Sequence, residues 1–130
     1  MAGIRHVEIW LADLENDLRE WGWLLDRLGF TLMAEWENGQ SWSAGGAYLS
    51  LTRSPNSTAV PHDRRRPGVN HLAFKARDPT SVDSVMDEAP EHGWIPLYDD
   101  RYPNAGGDEH YAGWLENQSG FKAEIVAESD

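Results

Sequence analysis

The sequence predicts an α+β fold made of two tandem βαβββ modules, and three observations carry that prediction. The segment Gly3-Ile4-Arg5-His6-Val7-Glu8-Ile9 returns as Gly68-Val69-Asn70-His71-Leu72-Ala73-Phe74, so Gly, an aliphatic residue, His and two following apolar positions recur at an offset of 65 residues. That offset is half of a 130-residue chain, and a module written twice tends to place equivalent residues about a pseudo-two-fold axis, which would bring His6 and His71 towards one another. Each half also carries the same order of signals: one strand, one helix, then three strands separated by turns.

The first strand covers residues 4–11, where Ile4, His6, Glu8 and Trp10 alternate with Arg5, Val7, Ile9 and Leu11; that period of two puts His6 and Glu8 on one face. Asp13 is the N-cap of an amphipathic helix whose Leu14, Leu18, Trp21, Leu24, Leu25 and Leu28 recur three and four residues apart, and Gly29 stops it. Phe30–Trp36, Ser41–Ala44 and Ala47–Thr52 then read as antiparallel strands joined at Asn38-Gly39 and Gly45-Gly46. Residues 54–67 contain Pro55, Pro61 and the run Arg64-Arg65-Arg66 without any apolar period, the composition of a solvated linker between module one (1–53) and module two (68–130).

Module two opens with the strand Val69–Ala76, followed by Asp78-Pro79 and a helix carrying Val82, Val85 and Met86 that ends near Pro90. Trp94–Tyr98 is its next strand. Residues 99–109, with Pro103 and Gly106-Gly107, are long for a hairpin connection and make a candidate lid or binding loop. Tyr111–Glu116 and Phe121–Ala127, joined by a turn at 117–120, complete the module.

Composition narrows the function classes. A 130-residue chain with 40% hydrophobic residues suits one globular domain. The 22 acidic and 11 basic residues give a net charge of −11, which argues against nucleic acid or an anionic membrane as partner and tolerates a cationic ligand. With no cysteine there is neither disulfide, nor thiolate metal site, nor cysteine nucleophile, and the chain reads as cytoplasmic.

The chemistry centres on three residues. Glu124 interrupts an otherwise largely apolar strand and needs a partner, because an unpaired buried charge costs several kcal/mol. His6, His71 and Glu124 together form a candidate ligand set of two imidazoles and one carboxylate, suited to a divalent Fe, Mn, Zn, Ni or Co ion. Glu8 shares the His6 face and is a candidate base; His110, at the end of the long loop, is a second candidate for proton transfer. Of the seven tryptophans, Trp21 and Trp23 read as helix packing or a subunit contact, whereas Trp10, Trp36, Trp42 and Trp114 fall on strands able to line a cavity.

The paired modules, a histidine in the first strand of each, and the closing run Tyr111-Ala112-Gly113-Trp114-Leu115-Glu116-Asn117-Gln118-Ser119-Gly120-Phe121-Lys122-Ala123-Glu124-Ile125 resemble the vicinal oxygen chelate superfamily of glyoxalases, bleomycin-resistance proteins and extradiol dioxygenases. The resemblance spans essentially the whole chain. It implies a cupped mixed sheet around a metal site with the helices outside, one divalent ion held by His6, His71 and Glu124, and a substrate that chelates the ion through adjacent oxygens. It also implies a fourth ligand position within Ala47–Thr52, where glyoxalase I has glutamate and this chain offers Ser50 by register. A three-ligand site is therefore expected rather than that of lactoylglutathione lyase. The partners implied are a small molecule and a second copy of the chain, as a homodimer. The alternative within the same resemblance is a non-catalytic protein of the bleomycin-resistance type that sequesters a cationic aromatic compound.

Overall fold

The computed structural model describes residues 1–58 and 60–128. Two compact units, Met1–Pro61 and the stretch from His62 onward, each carry one four-stranded mixed sheet.

In the first unit, β1 (His6–Trp10) leads through α1 (Leu14–Arg27) to the antiparallel strands β2 (Thr31–Trp36), β3 (Gly39–Ala44) and β4 (Ala47–Thr52). The sheet order is β1-β4-β3-β2, with β1 parallel to β4. Asp13 caps α1 by accepting from the Asn16 backbone N–H at 3.3 Å. Trp21, Leu24 and Leu25 are buried on α1, and Leu49, Leu51 and Trp42 are buried on the sheet; each such side chain stabilises by about 1.5–3 kcal/mol over an exposed one. Trp21 is 1% exposed and belongs to the core rather than to an open subunit contact. The opposite sheet face carries His6, Glu8 and Trp10, which align with Tyr48, Ser50 and Thr52 of β4.

The second unit repeats the plan. β5 (Leu72–Ala76), α2 (Pro79–Glu88), β6 (Trp94–Leu97), β7 (Ala112–Asn117) and β8 (Lys122–Ala127) give the order β5-β8-β7-β6, with β5 parallel to β8. Asp78 caps α2, accepting from the backbone and hydroxyl of Ser81, each at 2.8 Å. Val82, Val85 and Met86 of α2 are buried, as are Phe74, Leu115, Ala123 and Ile125 of the sheet. Helix α2 lies so close to β7 that a Cβ on Gly113 would stand 2.2 Å from Met86 Sδ.

Some boundaries differ from the sequence-based expectation. β1 starts at His6 rather than residue 4, and β5 starts at Leu72, which leaves His71 just ahead of the strand. β3 begins at Gly39, two residues before the expected Ser41, and a Cβ there would stand 2.4 Å from the Leu51 carbonyl oxygen. The segment expected to be a solvated linker is packed from His62 onward. The His62 ring stacks on Phe121 at 4.4 Å, and Arg64 Nε lies 3.6 Å from Glu116 Oε1. Only glycine fits at position 120, where φ is +87° and a Cβ would come within 2.9 Å of the His62 carbonyl oxygen. Arg65 and Arg66 remain exposed and pair locally with Asp63. Among the described residues no helix is long and apolar enough to cross a membrane.

Candidate functional site

Module two brings three of the five candidate residues together. Glu124 sits on β8 opposite Ala73 of β5 and Trp114 of β7. Its two carboxylate oxygens are divided between two imidazoles: Oε1 lies 3.3 Å from His71 Nε2, and Oε2 is hydrogen-bonded to His110 Nε2. The Glu124 side chain is 6% exposed, against 31% for His71 and 40% for His110, so the carboxylate forms the floor and the imidazoles the mouth. The partner that a carboxylate in an apolar strand requires is thus supplied twice.

The orientation of His71 is fixed from behind. Asn70 Nδ2 donates to the Arg64 carbonyl at 3.0 Å, which leaves Asn70 Oδ1 as the acceptor facing His71 Nδ1 at 2.8 Å. Nδ1 therefore carries a proton, and Nε2 is the ring nitrogen that faces the acceptor-only Glu124 carboxylate. Two lone pairs facing one another are stable only with a cation between them, either a proton on Nε2 or a metal ion. A nitrogen and a carboxylate oxygen disposed in this way, with an amide fixing the tautomer, form a donor pair suited to a divalent transition metal. No group of three His, Asp or Glu side chains among the described residues has the arrangement of a complete metal site, and Glu124 spends one oxygen on His110.

His110 arrives at Glu124 by way of the long loop. Asp83 on α2 accepts hydrogen bonds from Tyr102 and, at 2.6 Å, from Tyr111, and the Asn104 side chain donates to the His110 carbonyl at 3.2 Å. Burial and the Asp83 carboxylate push the Tyr102 phenol well above its usual range, and Asp83 raises Tyr111 as well. Both phenols thus keep the protons that hold the loop to α2.

In the remaining wall Trp114 is the cavity-lining residue the sequence offered, whereas Lys122 and Tyr98 were not foreseen as part of a site. The Trp114 ring meets His71 edge-on at 5.0 Å, and Lys122, two residues before Glu124 on the same face, reaches over Trp114 to donate to the Tyr98 hydroxyl at 2.9 Å. The sequence signal was the lysine standing between apolar residues at 121–127.

Module one carries the other two candidates. His6 stacks on Tyr48 at 4.8 Å. Glu8 accepts from Trp10 Nε1 at 2.6 Å and lines an open hollow of about 370 Å³ with Trp10, Trp36 and Arg53. Ser50, opposite Glu8, holds the register position that Glu124 holds opposite Ala73, and its hydroxyl bonds that of Ser41 at 2.7 Å.

Comparison with known proteins places the chain as a whole. Residues 5–113 match the family model of the Glyoxalase/Bleomycin resistance protein/Dioxygenase superfamily. The chain is 39% identical over 127 residues to the uncharacterized protein YqjT of Bacillus subtilis, covering 97% of this chain and 99% of that one. The crystal structure of a candidate glyoxalase from Bacillus halodurans superimposes with a TM-score of 0.90 at 38% identity, covering 96% of this chain and 95% of that one. A glyoxalase/bleomycin resistance protein from Albidiferax ferrireducens, 20% identical over 97% of this chain and 98% of its own, shares the fold with a TM-score of 0.76.

Proposed function

The chain belongs to the glyoxalase/bleomycin resistance protein/dioxygenase superfamily, and from that premise we propose that it is a divalent-metal-dependent enzyme acting on a small substrate that chelates through adjacent oxygens. The observation that carries this reading is the Glu124 carboxylate, buried on the sheet and faced by His71 Nε2, whose tautomer Asn70 fixes. In this proposal His71 and Glu124 hold the ion with His6 as third ligand, and Mn, Fe, Ni, Zn and Co all suit the donor set. When bound, the ion supplies a Lewis acid that polarises the substrate oxygens.

The chain's own residues do the rest. His110 Nε2 lies against Glu124 Oε2, so a proton can pass between the imidazole and the carboxylate as substrate enters and leaves. Trp114 walls the site on one side, its ring edge-on to His71. Glu8 is proposed as a second proton-transfer group, on the His6 face of module one. The absence of a fourth acidic ligand at Ser50 favours ring-cleaving or group-transferring relatives over glyoxalase I. We place the protein in the cytoplasm as a homodimer.

Elemental analysis of protein purified without chelators tests the proposal. About one ion per chain, lost in His71→Ala and Glu124→Ala and reduced in His6→Ala, is expected. A wild-type protein that neither carries nor takes up any of the five metals overturns it.

A second reading rests on the module-one hollow, where Trp10 and Trp36 are 45% and 42% exposed beside the Glu8 carboxylate. Two indoles and an acid suit a cationic aromatic compound, held by stacking and charge without chemistry. Under this reading, Trp36→Ala abolishes binding of such a compound while Glu124→Ala leaves it intact.

A further inference from the structure

We propose that Lys122, Tyr98 and Arg101 form an oxyanion-binding subsite beside Glu124, which takes a carboxylate a few atoms removed from the chelating oxygens of the substrate. Calling it a substrate subsite rests on the metal-site reading of Glu124 and His71, whereas the anion site itself stands on its own geometry.

In a chain of net charge −11, a lysine and an arginine gather around one tyrosine, with Lys122 Nζ and the Arg101 guanidinium carbon each 5.0 Å from the Tyr98 ring centre. Neither cation has a carboxylate within ion-pair distance among the described residues, although acidic side chains lie close by. Glu116 is the register partner of Lys122 but turns to Arg64 at 3.6 Å. Glu124, two residues along, is spent on His71 and His110.

The Lys122 ammonium is held in position. Lys122 is half-buried, stands 4.8 Å over the Trp114 ring and donates to the Tyr98 hydroxyl, contacts that a freely solvated lysine would not keep. Tyr98 reaches it from the left-handed backbone region, at φ 59°, a conformation that non-glycine residues adopt at a cost. Trp114 Nε1 is buried without an acceptor among the described residues, so the same wall holds an unused donor.

Lys122 and Glu124 point to the same face two residues apart, about 7 Å along the strand. A substrate whose adjacent oxygens meet the His71–Glu124 end would place a distal carboxylate at the Lys122–Tyr98 end when two or three bonds separate them. The class is a small hydroxy- or oxo-acid with a second acidic group.

Calorimetric titration of malate and of its neutral diamide, with and without Mn²⁺, into wild type, Lys122→Gln, Lys122→Arg and Tyr98→Phe tests the subsite. Without Mn²⁺, malate is expected to bind wild type at least about tenfold more tightly than the diamide, with the preference lost in K122Q, kept in K122R and weakened a few-fold in Y98F. That metal-free pattern supports the anion site, and the metal-site reading fails separately when Mn²⁺ leaves malate affinity unchanged. Equal malate binding by wild type and K122Q, or no preference over the diamide, overturns the subsite.

Discussion

Asn70 and His71 are neighbours in sequence, and the side-chain oxygen of the first lies 2.8 Å from Nδ1 of the second. Because the Asn70 amide nitrogen is committed to the Arg64 carbonyl at 3.0 Å, the contact dictates which ring nitrogen of His71 is protonated. The same amide ties Asn70 back to Arg64, whose side chain reaches Glu116 of β7.

Under the proposed metal site, removing that orienting partner should weaken metal uptake without removing a ligand. Asn70→Ala is expected to lower metal affinity about 10–100-fold, the usual cost of losing a contact that orients a ligating histidine. Competition with a chelating dye measures it. Wild-type affinity in the variant would show that Asn70 does not set the orientation of His71.

The Asp83 pair of hydrogen bonds predicts a pH dependence. The Tyr102 and Tyr111 phenols have raised pKa values in the folded protein, so their stabilising effect is fully present below the ordinary tyrosine value of about 10 and is lost as pH rises towards the raised values. Wild-type stability should fall above about pH 10, and Asp83→Ala should flatten that fall, bring both phenols back towards ordinary titration at 295 nm, and speed hydrogen exchange across residues 99–110. A normal phenol titration in wild type would contradict the network.

How far the sequence was legible follows from the range of the interactions involved. The Gly-x-x-His repeat and the strand and helix periods are local, and both βαβββ orders were readable from them. The need of Glu124 for a partner was also readable, because a carboxylate among Ala123, Ile125 and Ala127 has one physical solution. That His110 would supply half of the pairing was not, since its approach depends on Asp83 gripping Tyr102 and Tyr111 across 19 and 28 residues. Arg64 was read as solvated for a similar reason: the room for the His62–Arg64 segment exists only because Gly120 lacks a side chain.

Two glycines separate soft from hard packing. A Cβ at Gly113 meets the flexible Met86 side chain, whereas at Gly39 it meets the Leu51 carbonyl oxygen. Gly113→Ala is expected to cost about 1–3 kcal/mol of stability and Gly39→Ala more, because a side chain can shift where a strand backbone cannot. Urea denaturation ranks them, and the reverse order would show that β4 yields more readily than α2 packs.

Ser50 decides whether a four-ligand site lies one substitution away. It is 8% exposed, bonded to Ser41, and aligned with Glu8 on β1. A glutamate there would break the serine pair and set a buried carboxylate beside an existing one, so Ser50→Glu should cost on the order of 3–5 kcal/mol in metal-free protein, the range seen for uncompensated buried charge. If repulsion from Glu8 is part of that cost, Glu8→Gln should recover a share of it in a double-mutant cycle, because the two positions are adjacent. A Ser50→Glu variant as stable as wild type would mean that the module-one face already accommodates the extra ligand. The three-ligand assignment would then rest on residue identity at one position rather than on the packing around it.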